Sequence, residues 1–214
     1  MRTLITAGAT REYIDPVRFI SNASSGRMGY ALVQAALKAG HKVTLITTVH
    51  RPSTIEPRAT SHEPRATVVR VETASQMFDA VKRYFPRCDC LIMAAAVADY
   101  TPAYPAKTKI KKQNKPLTIK LKPTPDILKW AGTHKTMARV VVGFALEDKN
   151  LRPNAERKLR NKNLDMIIAN TPAAIGKDRS AVQVKTLTGD WLKLPFARKE
   201  ATAVRLVRLI ERLF

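Results

Sequence analysis

The stretch TLITAGATREYIDPVRFISNASSGRMGYALVQAALKAGHKVTLITT, residues 3–48, decides the fold. It opens with a short β-rich apolar run, Thr3–Ala7, stops at Gly8, and after a polar interval enters a helix-period segment from Gly26 to Ala39. A second apolar run, Val43–Thr48, follows at once. Strand-length apolar runs separated by a helical pattern are the signature of a βαβ unit with parallel strands. Gly8 after the strand, with Ser24, Ser25, Gly26 and Gly29 around the helix start, brings hydroxyls, free helix N–H groups and close backbone approach together. That combination makes a phosphate cradle; the competing reading is a serine N-cap with a glycine at a crowded crossing.

The alternation continues outward. Further strands are expected at Val68–Val71, Cys90–Val97, Val140–Ala145 and Leu164–Asn170, with helices at Ser75–Phe85, Pro125–Gly132 and Asn150–Lys162. A hairpin over Val182–Leu194, turning at Thr188, Gly189 and Asp190, and an amphipathic helix over Lys199–Phe214 complete the pattern. The expected fold is α/β, a Rossmann-like, doubly wound, mainly parallel sheet in a single domain spanning residues 1–214, with a C-terminal β-hairpin extension. Two segments interrupt it. Between Val49 and Thr67 the sequence EPRAT occurs twice, which reads as a surface loop grown by local duplication. Between Tyr100 and Pro123 lie Lys107, Lys109, Lys111, Lys112, Lys115, Lys120 and Lys122, in an alternation suited to a two-stranded ribbon: a lysine-rich flap fit for an anionic ligand.

With 214 residues the chain can bury roughly 70% of the surface its unfolded form exposes, enough for one well-packed core. Its 45% hydrophobic and 26% charged residues exclude a disordered or collagen-like chain. The longest strongly apolar stretch, Leu91–Ala98, is far short of the ~20 residues of a membrane helix, and no basic-then-apolar leader is present, so a cytoplasmic protein without membrane attachment is expected. Cys88 and Cys90 are too few for a disulfide framework or a zinc site and read as reduced thiols at a strand start. The formal charge is +21. Such a field draws in polyanions, making nucleic acid and phosphorylated small molecules both candidate partners.

In open α/β sheets ligands bind beyond the carboxyl ends of the strands, so the segments after each strand carry the functional information. No Gly-x-Gly-x-x-Gly fingerprint follows the first strand, and the second ends without an acid for a ribose hydroxyl, which disfavours a nicotinamide cofactor. After the fourth strand, MAAAVADYTPA, residues 93–103, places Asp99 behind a row of alanines that includes Ala95 and Ala96. Small side chains let a ligand lie against backbone, and one carboxylate there can hold Mg2+ bridging phosphates; a loop-capping aspartate is the alternative. Lys109, Ile110, Lys111 and Lys112 begin the flap, which either closes over an anion or is a solvated face. VGFALE, residues 142–147, precedes a helix on which Lys158 and Lys162 share a face; Phe144 reads as core. Asn170 and Thr171 stand at the end of the sixth strand. His41, His50, His62 and His134 are scattered and are assigned to structure or surface. Lysines, backbone amides and an asparagine suit stabilisation of phosphate charge better than general acid–base chemistry.

DPVRFISNASSGRMG, residues 15–29, strongly resembles the phosphopantothenate–cysteine ligase family, also called phosphopantothenoylcysteine synthetase. AAVADY at 95–100, KIKK at 109–112, PDIL at 125–128, VGFALE, and NLDMIIAN at 163–170 follow in family order over nearly the whole chain. The resemblance implies two steps. The carboxylate of 4'-phosphopantothenate attacks the α-phosphorus of a nucleoside triphosphate, giving an acyl-nucleotide and pyrophosphate; the cysteine amine then displaces the nucleoside monophosphate. It implies Mg2+, and the bacterial look of KIKK, PDIL and NLDMIIAN favours CTP over ATP. By position it implies Asn22 and Lys109 as catalytic residues, Arg18 as the arginine reaching a neighbouring subunit's substrate phosphate, and Gly8, Ser24, Gly26 and Gly29 as nucleotide and phosphate contacts. Ala95, Ala96 and Asp99 would line the meeting point of substrate, nucleotide and metal, with Asp99 the metal ligand. Pro125, Asp126, Ile127, Leu128, Phe144, Lys158 and Lys162 would complete the nucleotide site. A homodimer with shared active sites is implied.

Thr124 replaces a common family asparagine, and Ile175–Gly176 and Ser180 replace a phenylalanine–glycine pair and another asparagine, so contacts there are expected to differ. Many bacterial homologues carry a flavin-dependent decarboxylase ahead of this domain; this chain begins at the first ligase strand and is expected to need no flavin, a separate protein decarboxylating its product. The alternative from another class is a basic nucleic-acid-binding protein on the same scaffold, but that predicts aromatics interleaved with the basic stretches, and the flap has neither Phe nor Trp.

Overall fold

Every residue of strand β1 (Arg2–Ala7) after the first is buried, because β1 lies inside an eight-stranded sheet. The computed structural model describes residues 1–49, 66–112 and 114–214. Strands β2 (Lys42–Thr47), β3 (Thr67–Arg70), β4 (Cys90–Met93), β5 (Val140–Leu146) and β6 (Met166–Asn170) all run parallel to β1. Strands β7 (Gln183–Thr186) and β8 (Leu192–Lys193) add the antiparallel hairpin at one edge. The spatial order is β8-β7-β6-β5-β4-β1-β2-β3. From β1 the chain winds outward through β2 and β3, then returns to lay β4 on the other side of β1. The connections after β1 and β4 therefore lead to helices on opposite faces of the sheet, and a crevice opens at that switch point.

Alternation along the strands feeds two cores. Ile5, Ala7, Leu45, Ile92, Val142 and Ile168 point to the face covered by α1 (Arg27–Lys38) and α5 (Lys199–Glu211). Leu4, Ile46, Leu91, Val141 and Ile167 point to the face covered by α2 (Ala74–Tyr84), α3 (Ile127–His134) and α4 (Leu151–Asn161). Strands buried on both faces must be apolar nearly throughout, which is why they read as runs rather than as alternating patterns. Helix α2 opens on a capping box in which the Thr73 side chain accepts from Gln76 N–H. His41 is buried between Thr3 and Glu211, its Nδ1 3.1 Å from Thr3 Oγ1 and its Nε2 2.9 Å from Glu211 Oε1, fastening β1 to the end of α5. Cys88 and Cys90 are buried free thiols; burial pushes Cys88 up to about 12, which leaves it without nucleophilic character at neutral pH.

Three expectations need correction. The fourth strand stops at Met93 rather than Val97, because the N–H groups of the alanine row turn to the end of β1 instead of continuing the ladder with β5. Pro125 and Asp126 precede α3 instead of opening it, since the Asp126 carboxylate accepts from Lys129 N–H at 3.0 Å and acts as the N-cap. The Tyr100–Pro123 ribbon is confined to its base, Tyr100–Pro102 against Leu121–Pro123. The expected loop between Val49 and Thr67 lies, for residues 50–65, outside the described residues.

Helix α1 seats on β1 through Gly29. A Cβ there would sit 2.5 Å from Ala7 Cβ and 3.0 Å from Ala7 Cα, distances that only displacement of helix or strand can relieve. Gly29→Ala is expected to destabilise by about 1–3 kcal/mol. The measurement is urea denaturation, with a lower midpoint at unchanged slope as the expected outcome.

Candidate functional site

The crevice at the β1/β4 switch point is a cleft of about 600 Å3. Its first wall is the approach to α1. Gly26 is the N-cap in the left-handed region, φ 73°, and no side chain caps the helix, so the first-turn N–H groups are left for another acceptor. A Cβ on Gly26 would stand 3.0 Å from Gly8 N, and Gly8 is itself left-handed at φ 92°. The bare Gly26 thus lets the helix start lie against Gly8 backbone, while the bare Gly8 leaves room for Thr48, whose Oγ1 would stand 2.1 Å from a Cβ there.

The second wall is the alanine row. Ala95 N–H donates to Thr6 Oγ1 at 3.1 Å, Ala96 N–H to Gly8 O at 2.8 Å, and Ala98 N–H to Thr10 Oγ1 at 2.9 Å. Asn22 Nδ2 donates to the Ala96 and Val97 carbonyls at 3.3 and 3.2 Å, tying the α1 approach to the row. Thr124 closes the other end: its Oγ1 donates to Ala98 O at 2.6 Å and its N–H to Asp99 O at 2.9 Å. At the unusual Thr124 the turn is therefore made by a hydroxyl.

The third wall carries the cations. Lys158 Nζ donates to Phe144 O at 2.7 Å, and Lys162 Nζ to Asp126 Oδ1 at 2.9 Å. Burial lowers the Lys158 pKa, and the neighbouring charge of Lys162 lowers it further. Desolvation pushes the Asp126 carboxyl up, but hydrogen bonds from Lys162 and Lys129 N–H together with the two lysine charges outweigh it, leaving the carboxyl below its ordinary value.

Of the residues singled out from sequence, Asn22, Ser24, Gly26, Gly29, Ala95, Ala96, Asp99, Pro125, Asp126, Ile127, Leu128, Phe144, Lys158 and Lys162 line this one cleft. Gly8 stands behind Gly26. Arg18 and Lys109 are not in the lining; Lys109 belongs to the flap and Arg18 to the hairpin that holds it. There Asp15, buried at 1% exposure, accepts from Arg18 Nη1 at 2.6 Å, from Ile110 N–H at 3.1 Å, and from the Val17 and Arg18 N–H groups. Arg18 Nη1 also donates to Ile110 O at 3.2 Å. Asp15 and Arg18 thereby clamp the flap beside Lys109, which is exposed. Desolvation would raise the Asp15 pKa, but those N–H donors and the Arg18 charge prevail and lower it.

Sequence reading gave no role to Lys199 or Arg27, both of which line the cleft. Lys199, 8% exposed, was read only as a helix start, and Ser180, 3% exposed, as a departure from a family pattern at which contacts would differ. Both reach the cleft through the short ladder of Arg179–Ser180 with Ala197–Arg198, for which two-residue strands leave no periodic signal. Asp15 as flap clamp was also missed, although its Asp-Pro-x-Arg setting shows a carboxylate with an arginine three residues on.

The chain matches, over residues 1–213, the family described as DNA/pantothenate metabolism flavoprotein C-terminal domain. It is 40% identical over 202 residues to the coenzyme A biosynthesis bifunctional protein CoaBC of Bacillus subtilis, covering 92% of this chain and 47% of that protein. It is 39% identical over 213 residues to a cysteine/cysteine sulfinic acid decarboxylase of an unknown prokaryotic organism, covering 98% of this chain and 57% of the relative. The chain thus spans about half the length of these curated relatives. Among solved structures it resembles the C-terminal domain of a CoaBC protein, at 36% identity and a TM-score of 0.79, covering 99% of this chain and 94% of that one. The sequence match along nearly the whole chain and the shared architecture agree: this chain belongs to the family of the DNA/pantothenate metabolism flavoprotein C-terminal domain.

Proposed function

We propose that the chain is a phosphopantothenate–cysteine ligase, joining 4'-phosphopantothenate to L-cysteine through an acyl-nucleotide, in the cytoplasm and on the route to coenzyme A. The observation that carries this reading is the convergence, in one cleft at the switch point, of an uncapped helix N-terminus, a row of alanines that lets a ligand lie on backbone, and a pair of half-buried lysines. These are devices for holding phosphate charge rather than for moving protons. Membership of the family and similarity to CoaBC proteins support it. The basic surface field would concentrate a triphosphate and a phosphorylated acid alike.

In this reading the α1 N–H groups and Ser24 take phosphate oxygens, while the α3–α4 side, with Pro125–Leu128, Phe144 and Lys162, takes the nucleoside. Asn22 holds the alanine row in place beside the reacting carboxylate. We favour CTP over ATP. Among the described residues no group of three or more His, Cys, Asp or Glu side chains could form a metal cage. A single carboxylate, Asp99, with phosphate oxygens as the other ligands fits Mg2+, which keeps few protein ligands and neutralises phosphate charge when bound. Exposed Val17, Phe19, Tyr100 and Tyr104 offer apolar surface near the flap base to a second copy, in keeping with a homodimer in which Arg18 serves a neighbouring site. No helix among the described residues is long and apolar enough to cross a membrane.

The direct test is pyrophosphate release by the purified protein with 4'-phosphopantothenate, cysteine and Mg2+, comparing CTP with ATP and weighing the product by mass spectrometry. Substrate-dependent release with CTP and an amide product is expected; folded protein that releases none with either nucleotide would overturn the reading.

Lys109→Gln should lower kcat about 100-fold, the scale of a lost charge-stabilising donor, while changing stability by no more than about 0.5 kcal/mol, as for an exposed side chain. Asp15→Asn should also lower kcat, by freeing the flap. The clamp itself has a defined pH range: the folded pKa of Asp15 is lowered, so its stabilising contribution is present above the ordinary value of 3.8 and is lost as pH falls through the lower folded value. Activity at pH 5 should therefore show no loss traceable to Asp15 protonation, which a pH profile of wild type against Asp15→Asn measures.

Asn22→Asp would set a carboxylate against the Ala96 and Val97 carbonyls in place of a donor. The rate of acyl-nucleotide formation, followed by rapid quench, should fall at least tenfold; an unchanged rate would remove Asn22 from the mechanism.

A further inference from the structure

One corner of the cleft joins Ser180, which stands where the family commonly has an asparagine, to Lys199 and Arg27, to which the resemblance assigns no role. The ladder of Arg179–Ser180 with Ala197–Arg198 registers Ser180 opposite Ala197, two residues before Lys199, the first residue of α5. Lys199 N–H donates to Asp178 O at 2.9 Å. Both side chains line the cleft and both are more than nine-tenths buried. Ser180 Oγ has no hydrogen-bond partner among the described residues, a rare condition for a buried hydroxyl and one that a ligand would relieve. Lys199 Nζ, with three protons to donate, has one long contact, 3.5 Å to Ala174 O.

A second cation stands close by. Arg27, the first residue of α1, pairs with the Asp178 carboxylate and donates to Gly176 O at 3.4 Å. Burial lowers the Lys199 pKa and the Arg27 charge lowers it further, against the opposing pull of Asp178 and Glu200. A buried ammonium, an exposed arginine already paired with Asp178, an unpaired hydroxyl and the uncapped start of α1 therefore line the same space. This corner belongs to the α1–α5 side of the cleft, whereas Asp126, Lys158 and Lys162 belong to the α3–α4 side. A ligand bound at both sides has to be long, with its anionic end here.

We infer that Lys199, Ser180 and Arg27 form a subsite for the terminal phosphates of the triphosphate and for the pyrophosphate that leaves. The identity of the anion rests on the ligase reading above. In that reaction a carboxylate oxygen bonds to the α-phosphorus as the bond from the α-phosphorus to its bridging oxygen breaks, and that oxygen departs on pyrophosphate with the electron pair. Negative charge grows on the leaving group, where Lys199 and Ser180 have donors waiting.

The test measures binding of inorganic pyrophosphate, inorganic phosphate and 4'-phosphopantothenate to the full chain by calorimetry, for wild type, Lys199→Met, Lys199→Arg and Ser180→Ala. Pyrophosphate affinity should fall roughly 10- to 100-fold in Lys199→Met and less in Ser180→Ala, the range for a lost charge-assisted donor, with Lys199→Arg recovering part of it. Affinity for 4'-phosphopantothenate should not change, and the thermal midpoint of Lys199→Met should hold or rise because a buried charge is removed. A pyrophosphate affinity equal to wild type in both Lys199→Met and Ser180→Ala would overturn the assignment, as would an equal loss for 4'-phosphopantothenate, which would make the corner a monoester site. If pyrophosphate binds through Lys199 but turnover releases none, the subsite stands and the ligase reading falls.

Discussion

The functional half of this molecule depends on where the N–H groups of the alanine row go. Had Ala95, Ala96 and Ala98 continued the β4–β5 ladder, the carboxyl edge of the sheet would be closed at its centre. Instead Thr6 Oγ1, Gly8 O and Thr10 Oγ1 accept from them, and the row is drawn against the end of β1. Buried backbone donors must be satisfied somewhere, and the competition between two neighbouring acceptor sets decides the local geometry. The result separates the row from the end of β5 and opens the cleft between them. Asn22 and Thr124 then brace the row from either end, so one displaced segment positions both the α1 approach and the α3 cap.

Much of the fold was legible because its cause is local. Strands buried on both faces, such as Cys90–Met93, must be apolar, and the helices between them show a period a reader can find. The start of α1 was legible for the same reason: Gly26 and Gly29 stand where only glycine fits. The end of β4 was not. Alanines that continue a strand and alanines that lie against a neighbouring backbone have the same hydrophobicity; what separates them is a pair of threonine hydroxyls, on Thr6 and Thr10, more than eighty positions away in the chain. Ser180 and Lys199 were hidden likewise, since a ladder of two residues has no periodicity and a lysine at a helix start looks solvated until the fold buries it.

Asp15 illustrates a third kind of information, present in the sequence but ambiguous there. A carboxylate three residues ahead of an arginine is compatible with an exposed ion pair worth little. Burial changes its meaning. With four hydrogen bonds converging on it, Asp15 joins the hairpin of Arg11–Tyr13 and Phe19–Ser21 to the flap at Ile110. The residue that orients the flap is thus remote from the lysines that make the flap conspicuous.

The cations of the cleft are graded by what already holds them. Lys162 has a carboxylate, Lys158 a carbonyl at 2.7 Å, and Lys199 a single carbonyl at 3.5 Å. An arriving anion must compete with Asp126 at the first, and at the last it meets a buried ammonium with almost nothing to give up. Burial and like charge lower the pKa of both Lys158 and Lys199, so the free cleft carries electrostatic strain that an anion would relieve. By its hydrogen bonds, the ammonium at the α1–α5 corner has the least to give up to an anion. On the ligase reading this grading would orient a phosphate chain along the cleft, leaving Lys162 and Asp126, as a satisfied pair, to shape the opposite end.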